Sequence, residues 1–346
     1  MITRRQYQIC SFFLSRFLFF GAGLSFLFYN SNNDTWFACI LGLVLGLIAF
    51  KVIHIISKKN EGVSLSSIIK KNLVMKIVLY LFCFLLLNYL LTVLTLMNHS
   101  FFLYETPPLF IAILLMIVIV YGVIKGERVF TKVAEFLFFI SIVVFTLKFI
   151  GYGYNAASSY DNLFPLLNTK VTGFLFTTLI FFIYSFVPNI LLLNFKVEEL
   201  SYKQMVVGYV MGAVSIILTI LIISMTFGFP LATIIRYPEY MVLKKISLFN
   251  VFKNIENILV ITWYFDCLVS GFIITNMIKK INNNTFPMLI RKGTYILLLL
   301  ASLFVAVNIF VKDYTKTILL YKYAFTIIGA LGLVIILYLL FRKKEN

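Results

Sequence analysis

The sequence predicts an all-α integral membrane protein, and three observations carry this prediction. Hydrophobic residues make up 62% of the chain and charged residues 12%, whereas soluble domains average about 45–50% apolar and about 25% charged. The mean hydropathy is +1.00. The apolar runs continue without alternation for about 20 residues, which is the length of a membrane-spanning helix, not the alternating pattern of a barrel strand.

Ten apolar windows predict ten membrane-spanning helices. Five windows precede a polar link at residues 152–170 and five follow it, so the two halves enter the membrane in opposite orientations. This pattern predicts one domain over residues 1–346, a LeuT-type 5+5 inverted repeat with halves at about 7–150 and 171–311/341. The predicted spans are 7–29, 35–56, 73–97, 108–124, 131–150, 171–195, 204–228, 255–278, 293–311 and 317–341.

Helices 1 and 6 are predicted to be discontinuous. The first contains Gly21 and Gly23, and the sixth contains Pro188 near its middle. Glycine costs about 0.8–1 kcal/mol in a helix interior relative to alanine, and proline costs about 3 kcal/mol. Matching breaks in opposite halves are typical of a mid-membrane ligand site. The alternatives are a tight packing notch at span one and a filled proline kink at span six.

The predicted ligand site lies between these two breaks. Backbone N–H groups of a half-helix would bind a carboxylate, span six would bind the amine or side chain, and span three would close the site. For Asn88, an interhelical hydrogen bond is an equal alternative. The predicted ligand-binding residues are Gly21, Ala22, Gly23, Leu24, Asn88, Thr92, Tyr184, Ser185, Phe186, Pro188 and Asn189.

Four ionisable residues inside the predicted spans are candidates for a gate or relay, because charges in membrane segments are rare and often functional. Arg16 precedes Gly21 by about 7–8 Å of helix rise. The simpler interpretation of Arg16 is a side chain that snorkels to the cytoplasmic interface. Asp266 lies deep in span eight and would face the bundle with Tyr264 and Ser270. The four candidates are Arg16, Glu135, Glu256 and Asp266.

The formal net charge of +17 does not predict a nucleic-acid partner. Lys and Arg cluster at the ends of the apolar runs, where the positive-inside rule and anionic lipids account for them. Their distribution places both termini in the cytoplasm, with Lys148 assigned to an outer segment. Residues 230–254 are too polar to span and too apolar to be a loose loop, so we expect a helix lying in the outer interface.

Nothing in the sequence predicts an enzyme, a metal site or a cofactor. The four cysteines lie inside apolar runs without short spacings, and no nucleophile–base constellation is present. The cysteines are Cys10, Cys39, Cys83 and Cys267.

Four stretches, in order along the chain, carry a family resemblance. They are "ITRRQYQ" with the following glycines and "DTW", then "KGERVFTKVAE", then "DNLFPLL", and finally "YPEYMVLKKISLFNVFKNIENILVITW". In these stretches the chain resembles the B-type membrane subunits of spore germinant receptors, the spore germination permease family of the amino acid–polyamine–organocation superfamily. The chain departs from the family pattern at Arg128, Lys132, Asn254 and the Val187-Pro188-Asn189 segment, which makes it a divergent member.

The resemblance implies a membrane subunit that senses a nutrient, commonly an amino acid, and triggers spore germination. It also implies two partners, an A-type membrane subunit and a C-type lipoprotein, and a place in the bacterial cell membrane or the inner spore membrane. Because receptors and transporters share this fold, a proton-coupled amino acid symporter is the alternative. A purely structural subunit with a collapsed pocket is a third possibility.

Overall fold

The computed structural model describes residues 2–60, 63–154, 160–165, 168–197, 200–244 and 256–342. Among these residues, nine helical segments are long and apolar enough to cross a membrane. The chain is therefore an all-α, multi-pass integral membrane protein. The nine segments are Gly23–Lys59, Leu73–Phe101, Pro108–Lys125, Glu127–Gly151, Val171–Asn194, Tyr202–Ile234, Val260–Thr285, Met288–Val311 and Thr315–Phe341.

The secondary structure consists of α-helices joined by short 3-10 turns and one π-helical segment. Three 3-10 segments are relevant to the site or to the helix count: Phe17–Phe19, Asn32–Asp34 and Val187–Asn194. The α-helices are α1 Arg4–Leu14, α2 Ala22–Ser31, α3 Thr35–Lys59, α4 Leu65–Ile68, α5 Leu73–Phe101, α6 Pro108–Lys125, α7 Glu127–Tyr154, α8 Val171–Phe186, α9 Tyr202–Ile234, α10 Pro238–Lys244, α11 Glu256–Thr285, α12 Met288–Phe304 and α13 Tyr314–Phe341.

The difference between ten predicted spans and nine described ones arises at the N-terminal end. The first predicted span, 7–29, is divided between α1, of 11 residues, and α2, of 10. Both are shorter than the roughly 20 residues that cross a bilayer. The turn Asn32–Asp34 then joins α2 to α3, so that Gly23–Lys59 forms one continuous helical run.

Side-chain caps set several helix starts. Thr3 and Gln6 form a reciprocal capping box at α1, and Ser201 and Gln204 form another at α9. Such caps satisfy N–H groups that have no partner within the helix. At α6, Pro108 stands in the first turn, where its missing N–H costs nothing.

The short helix α1 lies in the interior of the bundle, packed against α7, α9 and α11. On another side, α3 packs against α8 and α9, while α11 also contacts α5 and α6. Large apolar side chains are exposed along α6, α7 and α12. Exposed apolar surface on this scale fits contact with lipid. The packing brings α1 next to the 3-10 segment Val187–Asn194, α9 and α11, which positions the candidate site.

Candidate functional site

The first break separates α1 from α2. After Leu14 the chain passes through the 3-10 turn Phe17–Phe19 and reaches Gly21, which has φ +67° and ψ −133°. Residues with a side chain rarely adopt this backbone conformation. A Cβ atom at Gly21 would also lie 2.9 Å from Cε1 of Tyr237. The interruption is therefore built into the backbone, and it leaves the N-terminus of α2 inside the protein.

The second break interrupts the sixth predicted span. The helix α8 ends at Phe186, and residues Val187–Asn194 continue as a 3-10 helix with Pro188 near its start. Proline lacks an N–H and clashes with the preceding turn, so it favours this change of helix type. The prediction that spans one and six are both interrupted is confirmed by these two segments.

Asn189 joins the two breaks. Ser11 donates a hydrogen bond to Asn189 Oδ1 at 2.7 Å, and Asn189 Nδ2 donates to Ser15 Oγ at 3.1 Å and to the carbonyl of Ser185 at 2.8 Å. Asn189, Ser11 and Ser15 are all completely buried. Because the donors and the acceptor of the Asn189 amide are engaged, this residue fastens the broken helices to each other.

The other predicted residues of span six are buried near this junction. Ser185 donates to the carbonyl of Phe181 at 2.7 Å and lies 3.3 Å from the hydroxyl of Tyr209. Tyr184 packs against the ring of Tyr89, with 6.1 Å between centroids. Phe186 stacks on Phe182. Tyr184 thus borders the first break, whereas Ser185 contacts Tyr209 of α9 and Phe186 contacts Phe182 of α8.

Helix α5 presents a polar face to the first break. The hydroxyl of Tyr89 donates to the carbonyl of Leu18 at 2.7 Å, which places this face against the break. Thr92, one turn along, is fully buried, and its hydroxyl has no hydrogen-bond partner. The Oδ1 atom of Asn88 also lacks one, although its Nδ2 donates to Phe84 O at 2.8 Å. Such groups are unfavourable unless water or a ligand satisfies them.

Two tyrosines extend this unsatisfied set. The hydroxyls of Tyr237 and Tyr321 are buried without a hydrogen-bond partner. The Tyr321 ring packs edge-on against Tyr89 at 5.5 Å, and Tyr237 stands over Gly21. Together with Asn88 and Thr92 of α5, they form a set that we call the α5 polar face, after the helix that contributes two of its members. Tyr237 immediately precedes α10 and Tyr321 belongs to α13.

On the other side of the break lies a buried ion pair. The Nε atom of Arg16 lies 3.2 Å from the Asp266 carboxylate, and its Nη1 donates to Ser215 Oγ at 2.7 Å. The guanidinium also stands 4.8 Å from the ring centroid of Phe12. Because Arg16 is 4% exposed, the interpretation of a side chain that snorkels to the interface was wrong.

Two further charged residues meet this side of the break. Glu239 of α10 accepts a hydrogen bond from Gly21 N–H through Oε1 at 2.8 Å. Lys148 of α7 donates to Thr262 Oγ1 at 3.0 Å. Both residues line a cavity of about 40 Å³ together with Arg16, Leu24 and Trp263. A cavity of this size accommodates a few water molecules.

Neither Glu239 nor Lys148 was among the predicted site residues. Lys148 was assigned to an outer segment and Glu239 to an interfacial one, because each lies near the polar end of an apolar run. A usable signal was present for Glu239, since it is the only acidic residue between Pro230 and Lys253. An isolated carboxylate in such an apolar segment favours a specific partner.

Gly23 lies at the first break, because a Cβ atom there would stand 2.6 Å from Leu18 O and 3.2 Å from the hydroxyl of Tyr89. Ala22 begins α2. Glu135 is half-buried on α7. The side chain of Glu256 and residues 245–255, including Asn254, lie outside the described residues. Of the expected interfacial segment 230–254, residues 230–234 instead end the spanning helix α9 and Pro238–Lys244 form α10.

Within the described part of the chain, no group of three or more His, Cys, Asp or Glu residues is arranged to hold a metal ion. The cysteines are free and buried at all four positions.

Comparison with known proteins adds one result. The family model described as spore germination protein matches residues 9–316, which is most of the chain. No curated protein matches this sequence.

Proposed function

This chain belongs to the spore germination protein family, and we propose that it is the nutrient-sensing membrane subunit of a spore germinant receptor. In this proposal a small amino acid binds between broken helices 1 and 6 and triggers germination. The role is non-enzymatic. The subunit acts with an A-type membrane subunit and a C-type lipoprotein in the inner spore membrane, with both termini in the cytoplasm.

The observation that carries the proposal is the α5 polar face beside the first break. It contributes four buried hydrogen-bonding atoms without partners, from Asn88, Thr92, Tyr237 and Tyr321. Leaving each such group unsatisfied costs about 1–3 kcal/mol, so a ligand with several donors and acceptors would be favoured there. An amino acid supplies an ammonium donor and a carboxylate acceptor, which match the hydroxyl and amide groups of this set.

Sensing needs no transport. A ligand that binds one of two conformations more tightly shifts the population by its difference in affinity alone. In our proposal, the two broken helices, which Asn189 joins, change their relative position. The ligand favours one of the two positions by binding to it more tightly. The partner subunits would then read out the favoured conformation.

The alternative is a proton-coupled amino acid symporter, and the charged groups beside the break favour it. Arg16, Asp266 and Lys148 lie along transmembrane segments or at the helix break, where ionisable residues often serve ion or proton pathways. The two proposals differ in whether the bound amino acid is released on the other side of the membrane.

The test uses purified full-length protein in proteoliposomes and a radiolabelled mixture of the twenty amino acids. A sensor gives saturable binding without accumulation when a proton gradient is imposed. Gradient-driven accumulation would contradict the sensor and support the symporter.

The matched variants are T92V and T131V. Both remove a completely buried hydroxyl and keep the side-chain shape, but the hydroxyl of Thr131 already donates to Glu127 O within its own helix. We expect T92V to weaken binding about fivefold to tenfold, the value of one hydrogen bond. T131V should leave binding unchanged, and equal effects of the two would contradict a ligand at the α5 polar face.

A further inference from the structure

The N-terminus of α2 is already occupied by a carboxylate of the chain itself. Gly21 N–H, at the N-cap of α2, donates to Glu239 Oε1 at 2.8 Å. The N-terminus of a helix attracts negative charge, through its free N–H groups and its dipole. Glu239 reaches this position from a residue 218 positions later in the chain. The contact thus places a side-chain carboxylate where an amino acid would place its own.

The second observation is that only one of the two Glu239 carboxyl oxygens, Oε1, accepts the hydrogen bond from Gly21. Glu239 is 4% exposed, and its Oε2 atom is buried without a hydrogen-bond partner among the residues that the structure describes. The same cavity that Glu239 borders is lined by Lys148, whose ammonium is held by Thr262. A buried carboxylate oxygen without a partner is unfavourable. The contact is therefore one from which Glu239 can be displaced toward a waiting cation.

Helix α10 is placed to carry such a movement. It has seven residues and packs against α9 and α11. Two aromatic residues hold it over the break: Tyr237, which immediately precedes α10, lies against Gly21, and the ring of Tyr240 in α10 packs 4.4 Å from that of Phe101 at the end of α5. Because Tyr237 belongs to the α5 polar face, α10 covers the first break and the proposed ligand site together.

We propose that Glu239 is a built-in competitor that occupies the carboxylate position at Gly21 and must be displaced before an amino acid can bind. This inference rests on the proposed function for the identity of the displacing ligand. When the ligand carboxylate takes the Gly21 N–H, Glu239 moves across the cavity toward Lys148, and α10 shifts with it. Ligand binding is thereby coupled to the position of α10.

The first experiment tests the carboxylate position without any amino acid. E239A removes the side chain and leaves a space that fits acetate. We expect acetate, compared with acetamide at constant ionic strength, to raise the thermal unfolding temperature of E239A by several degrees. Wild type and the exposed-site control E105A should not respond. Equal responses to acetate and acetamide, or an equal acetate effect in all three proteins, would overturn the occupied-site proposal.

The second experiment measures displacement with the radiolabelled amino acid mixture. Removing the competing hydrogen bond should tighten binding to E239A about threefold to tenfold, the value of one neutral hydrogen bond. E239Q keeps an acceptor for Gly21 N–H and cannot ionise, so it should bind no more tightly than wild type does at about pH 5. E239L, which removes the acceptor, replaces E239A if that variant does not fold. Unchanged affinity in a folded E239A or E239L would overturn displacement.

The two arms separate this inference from the proposed function. If acetate stabilises E239A while no protein binds the amino acid mixture, the internal carboxylate site stands and the amino acid sensor fails. If the mixture binds with equal affinity to wild type, E239A and E239Q, the sensor stands and the competitor fails.

Discussion

Arg16 and Asp266 form an ion pair across 250 positions of sequence, with Nε 3.2 Å from the carboxylate and both side chains buried. The pair links the end of α1, beside the first break, to the middle of α11. Desolvating two charges is expensive, and the pair persists because Ser215 and the Phe12 ring add further contacts to the guanidinium. It fixes the inner wall of the charged cavity.

The first prediction concerns this pair. D266N leaves the buried Arg16 without its counter-ion and should lower the free energy of unfolding by about 3–5 kcal/mol. R16M should have a similar effect, and the double variant R16M/D266N should lose much less than the sum of the two. Thermal unfolding in detergent gives the three values and hence the coupling energy.

The control for this cycle is D313N. Asp313 lies 3.4 Å from Lys316 in an exposed pair and caps α13. Asparagine also caps helices well, and exposed pairs contribute little, so D313N should unfold close to wild type. Additive losses in the R16M/D266N cycle would contradict a direct interaction.

The second prediction concerns the junction of the breaks. N189A removes an amide that makes three hydrogen bonds and leaves the hydroxyl of Ser11 and the carbonyl of Ser185 without that partner. We expect a loss of about 2–4 kcal/mol in the free energy of unfolding, since each buried unsatisfied group costs about 1–3 kcal/mol.

N30A is the matched substitution for N189A. The Asn30 amide bonds only to a carbonyl of its own helix, Phe26 O, and it is partly exposed. N30A should change the free energy of unfolding by less than about 1 kcal/mol. A similar loss in both variants would show that Asn189 does not fasten the two helices.

The third prediction concerns the backbone at Gly21. G21A places a Cβ atom at φ +67°, where it meets Tyr237 at 2.9 Å. Left-handed strain costs about 1–2 kcal/mol, and the contact adds to it. The variant should both unfold at lower temperature and bind the amino acid mixture more weakly, because α10 is pushed away from the break.

For this variant the control is G293A. A Cβ at Gly293 in α12 meets nothing within 4 Å, and alanine favours a helix interior over glycine by about 1 kcal/mol. G293A should therefore be as stable as wild type or more so. The double variant G21A/Y237L should recover part of the loss, and no recovery would show that the Tyr237 contact is unimportant.

Local features of the site were predictable and its long-range contacts were not. Gly21 and Pro188 marked the breaks because glycine and proline act on the backbone where they stand. The membrane class followed from composition alone. The partners of Arg16 and Gly21, in contrast, lie 250 and 218 positions away, and periodicity along one chain does not encode which distant helices meet.

The span count shows the same limit. A hydropathy window treats residues 7–29 as one apolar run, whereas the structure divides the run at Ser15–Gly21 and joins α2 to α3. Lys148 was misassigned for a related reason. A lysine near the end of an apolar window is assigned to the loop that flanks the span. The ammonium of Lys148 instead lies inside the protein and donates to Thr262.

The fourth prediction is a pH dependence of binding that originates at Glu239. Burial, opposed by the hydrogen bonds from backbone N–H groups and by the Lys148 charge, raises the pKa of Glu239 from 4.5 to about 8. Because the pKa of buried Glu239 is raised, protonation favours the arrangement that buries it, and this stabilisation is complete below pH 4.5. That stabilisation is lost progressively as the pH rises through about 8.

Because ligand binding displaces Glu239 in our proposal, apparent affinity for the amino acid mixture should rise between about pH 5 and pH 8 and then level off. The slope is at most about tenfold per pH unit for one proton. Equilibrium binding at constant ionic strength measures it. E239Q should be flat over this range, since it cannot ionise.

The charged groups that face Glu239 across the cavity are Lys148 from α7 and Arg16, paired with Asp266, from the other side. K148M removes the cation that lowers the pKa of Glu239, so the plateau should move to higher pH while the rise remains. The opposite result would be a pH dependence that E239Q keeps in full and K148M abolishes. In that case Lys148 is the titrating group, and ionisation of Glu239 does not control ligand binding.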